Sequence, residues 1–474
     1  MSGIVPSKLK SARILPIFKG SGSPELPGNY RPISILPVCS KILEKIIYEQ
    51  MIQTIGDNCL FVRQYGFRRG LGTTDAIRDL IDDLHEAIHL GKFSIGIFID
   101  FRKAFDTVHH DILLRKLKGY GFRGVAQSWL EDYLKCRSQM VKLNNTVSSR
   151  LPVKVGVPQG SILGPLLFLL YVNDMKDYIK HGKLRLFADD TNIFYDTKDI
   201  GIATMQINED MYGLNKWLKM NKLTVNTTKS NYIVVKCPRK RVADISVKLQ
   251  NDTLRRMDHV KYLGVYIDQH LTFRPHIEYL CKKISPTIGV LGKLRWLFPK
   301  NICVLLYNSL IHSQLAYCIG SWGSASKAAI SPLEILHKKV VRYISHSTYT
   351  AHAAPLFKEL GILTVREMFF TKVCMLVYQE LRGLNNGRDY KFQKVNHVYK
   401  TRSVTNDCLQ LPEGPVGVVT NSLFRTLSYV GPRFFNYLPT DVKGLNSCSL
   451  FKRNLKNWVQ EAQIPVYNLM YTHR

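Results

Sequence analysis

Three carboxylates constrain this chain more than any other feature. Asp100 ends the apolar run Ile95-Gly96-Ile97-Phe98-Ile99, and Asp189-Asp190 lies between two short β-type stretches, Leu184–Phe187 and Thr191–Tyr195. A carboxylate at the end of a buried strand is costly without a partner, and adjacent carboxylates in a tight turn repel unless a cation lies between them. Oxygen-rich acidic clusters suit Mg²⁺, which takes a few carboxylates and keeps positions for waters and phosphates. A pair of such ions can activate a hydroxyl and stabilise a leaving phosphate oxygen in one in-line displacement. A lone Asp-Asp dipeptide is ordinary surface chemistry, so the reading depends on what surrounds it.

The surroundings mix strands and helices. Ala12–Phe18 and Ile33–Val38 read as strands joined by the loop Gly20–Asn29, and Lys41–Ile55 and Thr73–Leu90 as helices. In the second helix Ile77, Leu80, Ile81, Leu84 and Ile88 share a face, with Asp79, Asp82, Asp83 and Glu86 largely opposite. Phe93–Phe101 is a β-type run, and helical spacing follows over Ala104–Lys118, with Asp106 as its N-cap. To about residue 270 the arrangement is α+β. Beyond it the pattern is helical: Ile277, Leu280, Ile284, Ile288, Leu291 and Leu294 form a stripe beside Lys282, Lys283, Lys293 and Arg295. Ser331-Pro332-Leu333-Glu334 reads as a helix start with Pro at the first position. Asn385–Gly387 and Pro412–Gly417 read as loops.

Charge narrows the class of partner. The 474 residues hold 66 Lys+Arg against 36 Asp+Glu, a net +30, which with 11% aromatics suits a folded partner for nucleic acid phosphates. Residues 201–300 carry 18 basic and 7 acidic side chains, whereas 151–200 balance at 6 and 6. The longest apolar run, Leu163–Val172, is half the length a bilayer-spanning helix needs, so no membrane role is expected and the chain reads as intracellular, in nucleus or cytoplasm. Ten cysteines without zinc-type spacing read as reduced thiols.

The acids are flanked by further motifs. Gly156-Val157-Pro158-Gln159-Gly160-Ser161 places a Gln on a Gly-rich turn, and Asp100-Phe101-Arg102-Lys103-Ala104-Phe105-Asp106 surrounds the first acid. With Ile14–Lys19, Tyr30-Arg31-Pro32-Ile33-Ser34, Gln64-Tyr65-Gly66-Phe67-Arg68, Phe187-Ala188-Asp189-Asp190, Leu223–Lys229 and Lys261-Tyr262-Leu263-Gly264, they form an ordered series. In that series the chain resembles reverse transcriptases of non-LTR (LINE-type) retrotransposons, most closely the jockey-like group. Trp322-Gly323 and Phe434–Pro439 resemble C-terminal segments of that group more weakly.

The resemblance implies a right-hand polymerase. It assigns residues 1–271 to fingers and palm, 272–345 to a helical thumb, and 346–474 to a helical C-terminal region of unassigned role. Asp100, Asp189 and Asp190 would be the metal-binding catalytic acids, holding two Mg²⁺ for which Mn²⁺ can substitute. Lys229 would protonate departing pyrophosphate. Arg13, Lys19 and Arg31 would hold the triphosphate of a dNTP, Gln159 its sugar or phosphate, and Phe105 would be the gate against a ribose 2′-OH. Tyr262, Leu263 and Gly264 resemble the primer grip. Each has a plainer alternative: Phe105 as helix core, Lys229 as a solvated lysine, the basic face at 282–295 as a solvated surface. The implied partners are an RNA template, a DNA primer or target, and dNTPs. The N-terminal endonuclease of intact elements, the motif preceding the fingers and a zinc knuckle are not found. A catalytically silent remnant that binds nucleic acid is therefore the competing expectation.

Overall fold

The computed structural model describes residues 3–56, 59–242, 245–384, 389–395, 408–411, 422–462 and 464–471. The loop segments Asn385–Gly387 and Pro412–Gly417 lie outside the described residues.

The strands in chain order are β1 (Ser11–Phe18), β2 (Tyr30–Ile35), β3 (Phe93–Ile99), β4 (Arg137–Leu143), β5 (Thr146–Val147), β6 (Leu151–Val153), β7 (Lys183–Phe187), β8 (Asp190–Thr197), β9 (Asn231–Val235), β10 (Lys248–Leu249), β11 (Asp252–Thr253), β12 (Arg255–Arg256), β13 (His259–Tyr262) and β14 (Val265–Asp268). The central sheet runs β12-β9-β3-β8-β7 and a second runs β2-β1-β4-β5, with β6 on β4. The main helices before the helical half are α1 (Val38–Ile55), α2 (Thr73–His89), α3 (His110–Gly119), α4 (Val125–Leu134), α5 (Leu163–Val172) and α6 (Ile200–Met220), and α7 (Arg274–Leu294) opens that half. The fold is α+β.

β3 is buried along its whole length because both faces of the central sheet are covered. Strand alternation divides its side chains between two cores. Phe98 packs with Ile77, Leu80 and Leu84 of α2, while Ile95, Ile97 and Ile99 pack with α5 and α6. Gly96 faces Phe194 on β8, where a Cβ would collide with the ring. The strand can thus deliver Asp100 to the sheet edge only with Gly at that register.

The acids of α2 are not a solvent face. Asp79, Asp82 and Asp83 are all buried, and two of them hold Arg185 of β7, which is 0% exposed. Arg185 Nε donates to Asp79 at 2.7 Å, and its Nη2 donates to Asp83. Helical spacing identified the stripe, but charge alone could not say that a buried cation faced it. Removing that cation takes the buried guanidinium from Asp79 and leaves Asp83 only the longer contacts of Arg63 (3.7 Å) and Lys183 (3.6 Å), so Arg185→Met is expected to destabilise by about 3–5 kcal/mol, read by urea unfolding.

Three local expectations shift. The strand read at Ile33–Val38 is instead Tyr30–Ile35, and Val38 begins α1 behind Pro37. The helix read over Ala104–Lys118 breaks into a 3₁₀ turn, Ala104–Thr107, and α3. The carbonyls of Phe105 and Val108 accept from Val157 N–H (2.9 Å) and Gly156 N–H (2.7 Å), so the helical ladder is interrupted. Asp106 therefore lies inside the turn and is no N-cap; His109 precedes α3. Ser331–Glu334 does not start a helix either. That helix is Lys327–Ile344, capped by Ser326, whose Oγ accepts from Ala329 N–H at 3.3 Å. Pro332 sits within it, leaving the Ala328 carbonyl without its usual donor.

The helical half is continuous in packing. Residues of α7 and Lys327–Ile344 share one core with Ala353–Glu359, Val365–Leu381, Leu427–Asn436 and Cys448–Glu461. The C-terminal helices and the segments between them reach α2: Asp82 accepts from Tyr390 O–H at 2.6 Å and from Leu427 N–H at 3.3 Å, and His85 Nδ1 meets Ser422 Oγ at 2.7 Å. Among the described residues no helix is long and apolar enough to cross a membrane, and all ten cysteines are free thiols.

Candidate active site

Asp100 is fixed from behind by the turn that follows α6. Its N–H donates to Ser230 Oγ at 3.1 Å, and its carbonyl accepts from Asn226 N–H at 2.7 Å. The carboxylate is thereby aimed off the sheet while the backbone stays satisfied. Asp189 and Asp190 occupy the β7–β8 turn, which closes with Phe187 opposite Asp190 and Ala188 at φ 55°. Gln64 pins this turn across the fold: its Oε1 accepts from Ala188 N–H at 3.1 Å and Gly66 N–H at 2.9 Å. A Cβ on Gly66 would collide with the Ala188 backbone, so the contact needs glycine.

The acids open onto a cleft of about 1400 Å³ between the two sheets. Asp100, Asp189, Asp190, Lys19, Arg31, Phe105, Gln159 and Lys229 all line it. Burial, then the Asp189 and Asp100 carboxylates, pushes Asp190 up to about 6. Asp189 is also raised, by burial first and by Asp100, with Arg31 opposing. Among the described residues none of the three forms an ion pair. Nor do three His, Cys, Asp or Glu side chains there converge tightly enough to enclose a metal by themselves. Uncompensated hard-oxygen donors around open space fit a cation such as Mg²⁺, which completes its shell with water or phosphate oxygens.

Gln159 reaches the cleft from a turn that requires two glycines. Gly156 has φ 90° and a Cβ there would lie 2.7 Å from the Asp106 carbonyl oxygen; Gly160 has φ 117° and would lie 2.7 Å from the Ser34 carbonyl oxygen. Ser34 N–H donates to the Gln159 carbonyl at 2.7 Å, tying the turn to β2. Gln159 Nε2 donates to Asp106 Oδ1 at 2.7 Å, which orients the amide, and burial raises the Asp106 carboxyl. Phe105 stacks on Phe168 with centroids 4.4 Å apart, and Phe67 meets its edge at 6.2 Å. One side of the ring is core and the rest lines the cleft.

Not every expected residue reaches this cleft. On β1 Ile14 and Pro16 line it while Arg13, one residue before Ile14 and so on the opposite face of the pleat, does not. Arg13 lies opposite Ile35 and is exposed elsewhere. Tyr262 is buried 5.7 Å from Phe98, its hydroxyl pushed up by burial, and is part of the palm-side core. Leu263 and Gly264 form the β13–β14 turn at φ 43° and 88°, where Leu263 carbonyl accepts from Tyr317 O–H at 2.6 Å. Gln64, Asp106, Asn226 and Thr228 were missed as site residues. Gln64 stood inside a quoted motif, but its role depends on a partner 124 residues away.

A family model described as reverse transcriptase (RNA-dependent DNA polymerase) matches residues 17–267, more than half of the chain. The chain belongs to the reverse transcriptase family. Among its relatives, the probable RNA-directed DNA polymerase from transposon BS of Drosophila melanogaster is 30% identical over 380 residues, 76% of this chain and 41% of that protein. The RNA-directed DNA polymerase from mobile element jockey of the same organism is 28% identical over 380 residues, 76% of this chain and 40% of that protein. The resemblance to the jockey-like, non-LTR group is thus the correct one. This reverse transcriptase chain spans about two fifths of the length of those relatives. A solved structure of apo telomerase from Candida Tropicalis aligns at TM-score 0.39 and 12% identity, over 77% of this chain and 64% of that one.

Proposed function

We propose that the chain is the polymerase segment of a non-LTR retrotransposon, copying an RNA template into DNA by nucleotidyl transfer from dNTPs to a primer 3′-OH. The observation that carries this reading is the convergence of Asp100, Asp189 and Asp190 on one cleft with Lys19, Arg31 and Gln159 across it. Fingers and palm would occupy 1–271, the thumb 272–345, and the remaining helices would brace both.

Asp100 and Asp189 would hold two Mg²⁺, with Asp190 adjacent; bound there, the ions supply Lewis acidity to the attacking hydroxyl and the leaving phosphate. Arg31 and Lys19 would hold the triphosphate, the guanidinium in the bidentate way an ammonium lacks. Gln159, its amide oriented by Asp106, offers Oε1 to a hydroxyl of the nucleotide's sugar and its second Nε2–H to a phosphate oxygen. Lys229 stands at the cleft wall where it can give a proton to pyrophosphate. Phe105 occupies space a ribose 2′-OH would need. The turn Leu263-Gly264 would hold the primer, and Tyr262 would brace it from the core.

The direct test is extension of a DNA primer on an RNA template by the purified chain with dNTPs and Mg²⁺, beside the Asp189→Ala/Asp190→Ala double variant. Extension by the unmodified chain alone supports the proposal; binding of template–primer without extension by either supports the silent remnant. In the same assay Phe105→Val is expected to raise ribonucleotide incorporation roughly tenfold or more, since one excluded group is worth about 1–3 kcal/mol of discrimination. Unchanged discrimination would make Phe105 core only.

A further inference from the structure

The far end of α7 carries a cluster the cleft does not use. Trp296, Leu297 and Phe298 follow it in succession and are 67%, 73% and 40% exposed. Apolar side chains grouped in water mark a surface that something covers. These are held in place. The Arg295 guanidinium lies 4.6 Å from the Trp296 ring centre and 5.0 Å from that of Tyr343, and the His346 ring is 4.9 Å from Trp296. Lys339 lies 5.7 Å from Tyr343. Gly292 gives Tyr343 its room, since a Cβ there would come 2.6 Å from the ring.

Charge decides what covers it. No Asp or Glu occurs between Glu278 and Glu334, nor between Glu334 and Glu359, while Lys282, Lys283, Lys293, Arg295, Lys338 and Lys339 all do. An apolar protein partner would desolvate these cations without compensation. A polyanion with flat apolar faces satisfies both features: bases stack on the rings and phosphates meet the cations. Unpaired strands present those faces; a duplex hides them.

We propose that the Trp296–Phe298 turn, with Lys293, Arg295 and Tyr343, is an accessory site for unpaired nucleic acid, stacking bases on Trp296 and Phe298. The 21 residues of α7 put this turn about 30 Å along the helix from the β13–β14 end, so the site is separate from the cleft. The inference rests on the polymerase reading only in taking nucleic acid as the polyanion; it requires no turnover.

The test uses the full chain in EDTA with labelled oligomers of about 16 nucleotides as single-stranded RNA, single-stranded DNA and blunt duplex, and with vesicles of anionic phospholipid. Trp296→Ala/Phe298→Ala is expected to weaken single-strand binding roughly tenfold or more, to leave duplex binding little changed, and to unfold at the unmodified temperature because both side chains are exposed. RNA and DNA arms show which strand is preferred. Trp129, Trp217 and Trp322 are buried and Trp458 is half-buried against Phe370 and Tyr437, so the part of acrylamide quenching that Trp296→Ala/Phe298→Ala removes reports Trp296 and should fall when a single strand binds. Equal single-strand affinity in both proteins, equal loss on the duplex, or shielding of Trp296 by vesicles alone would each overturn the proposal. If the unmodified chain fails to extend a primer yet its single-strand binding still depends on Trp296, this site stands and the polymerase reading falls.

Discussion

Asp189→Asn is expected to reduce primer extension on the order of 10³-fold, because a metal's stabilisation of transition-state charge is worth several kcal/mol. Its neighbour tests the electrostatics in the opposite sense. Asp190→Asn should raise the melting temperature of the metal-free chain at pH 8. An unfolded Asp ionises near its ordinary value of 3.8, whereas folded Asp190 keeps its proton up to about 6. Between those values the folded state binds more protons than the unfolded one, so stability falls as pH rises through the window and stays lower above it. Asparagine never ionises, so the gain should be absent below pH 3.8 and complete above about 6. Mg²⁺ should likewise raise the melting temperature more at pH 8 than at pH 4, and less in Asp190→Asn. Scanning calorimetry at both pH values with and without Mg²⁺ decides this. A melting temperature lowered by Asp190→Asn at pH 8 would mean that the carboxylate is compensated within the protein.

Ending the chain after Ser345 is expected to abolish cooperative unfolding rather than release a smaller, stable unit. The helix Val365–Leu381 buries Phe369, Phe370, Val373 and Val377 at 0–1% exposure in the same core as Ile330, Leu333 and Trp322. Gly323 is so close to the Phe369 ring that a Cβ would lie 2.5 Å from it. Losing one large buried side chain costs about 3–5 kcal/mol, and a domain's whole stability is about 5–15 kcal/mol, so several such losses exceed it. The cut would also remove Tyr390 and Ser422, which hydrogen-bond Asp82 and His85 on α2. The 1–345 fragment should aggregate or bind hydrophobic dye. A soluble fragment with the full chain's melting temperature would make 346–474 an independent unit. In the full chain Phe370→Ala should cost about 3–5 kcal/mol by denaturant unfolding.

Much of the site was legible because its residues are near in sequence to strong local signals. Asp100 closes an apolar run, Asp189-Asp190 interrupts two, and Gln159 stands between glycines whose positive φ angles a turn requires. Periodicity also located α2 and α7. The failures share a cause. Asp106 reads as an N-cap until the Gly156–Val157 backbone takes the carbonyls of Phe105 and Val108 and Gln159 takes the carboxylate. Ser331-Pro332 reads as a helix start until Ser326 is found capping the helix further upstream.

By itself the sequence determined the family, the acids and the kinds of element that present them, because those depend on residue type and short-range spacing. Only the tertiary structure decided that Arg13 misses the cleft, that Tyr262 is core, that Gln64 pins the Asp189–Asp190 turn, and that the acids of α2 clasp Arg185 on one side and the C-terminal segments on the other. Each of those facts is a pairing across many residues, and a pairing becomes defined only when burial forces a polar group to find its partner.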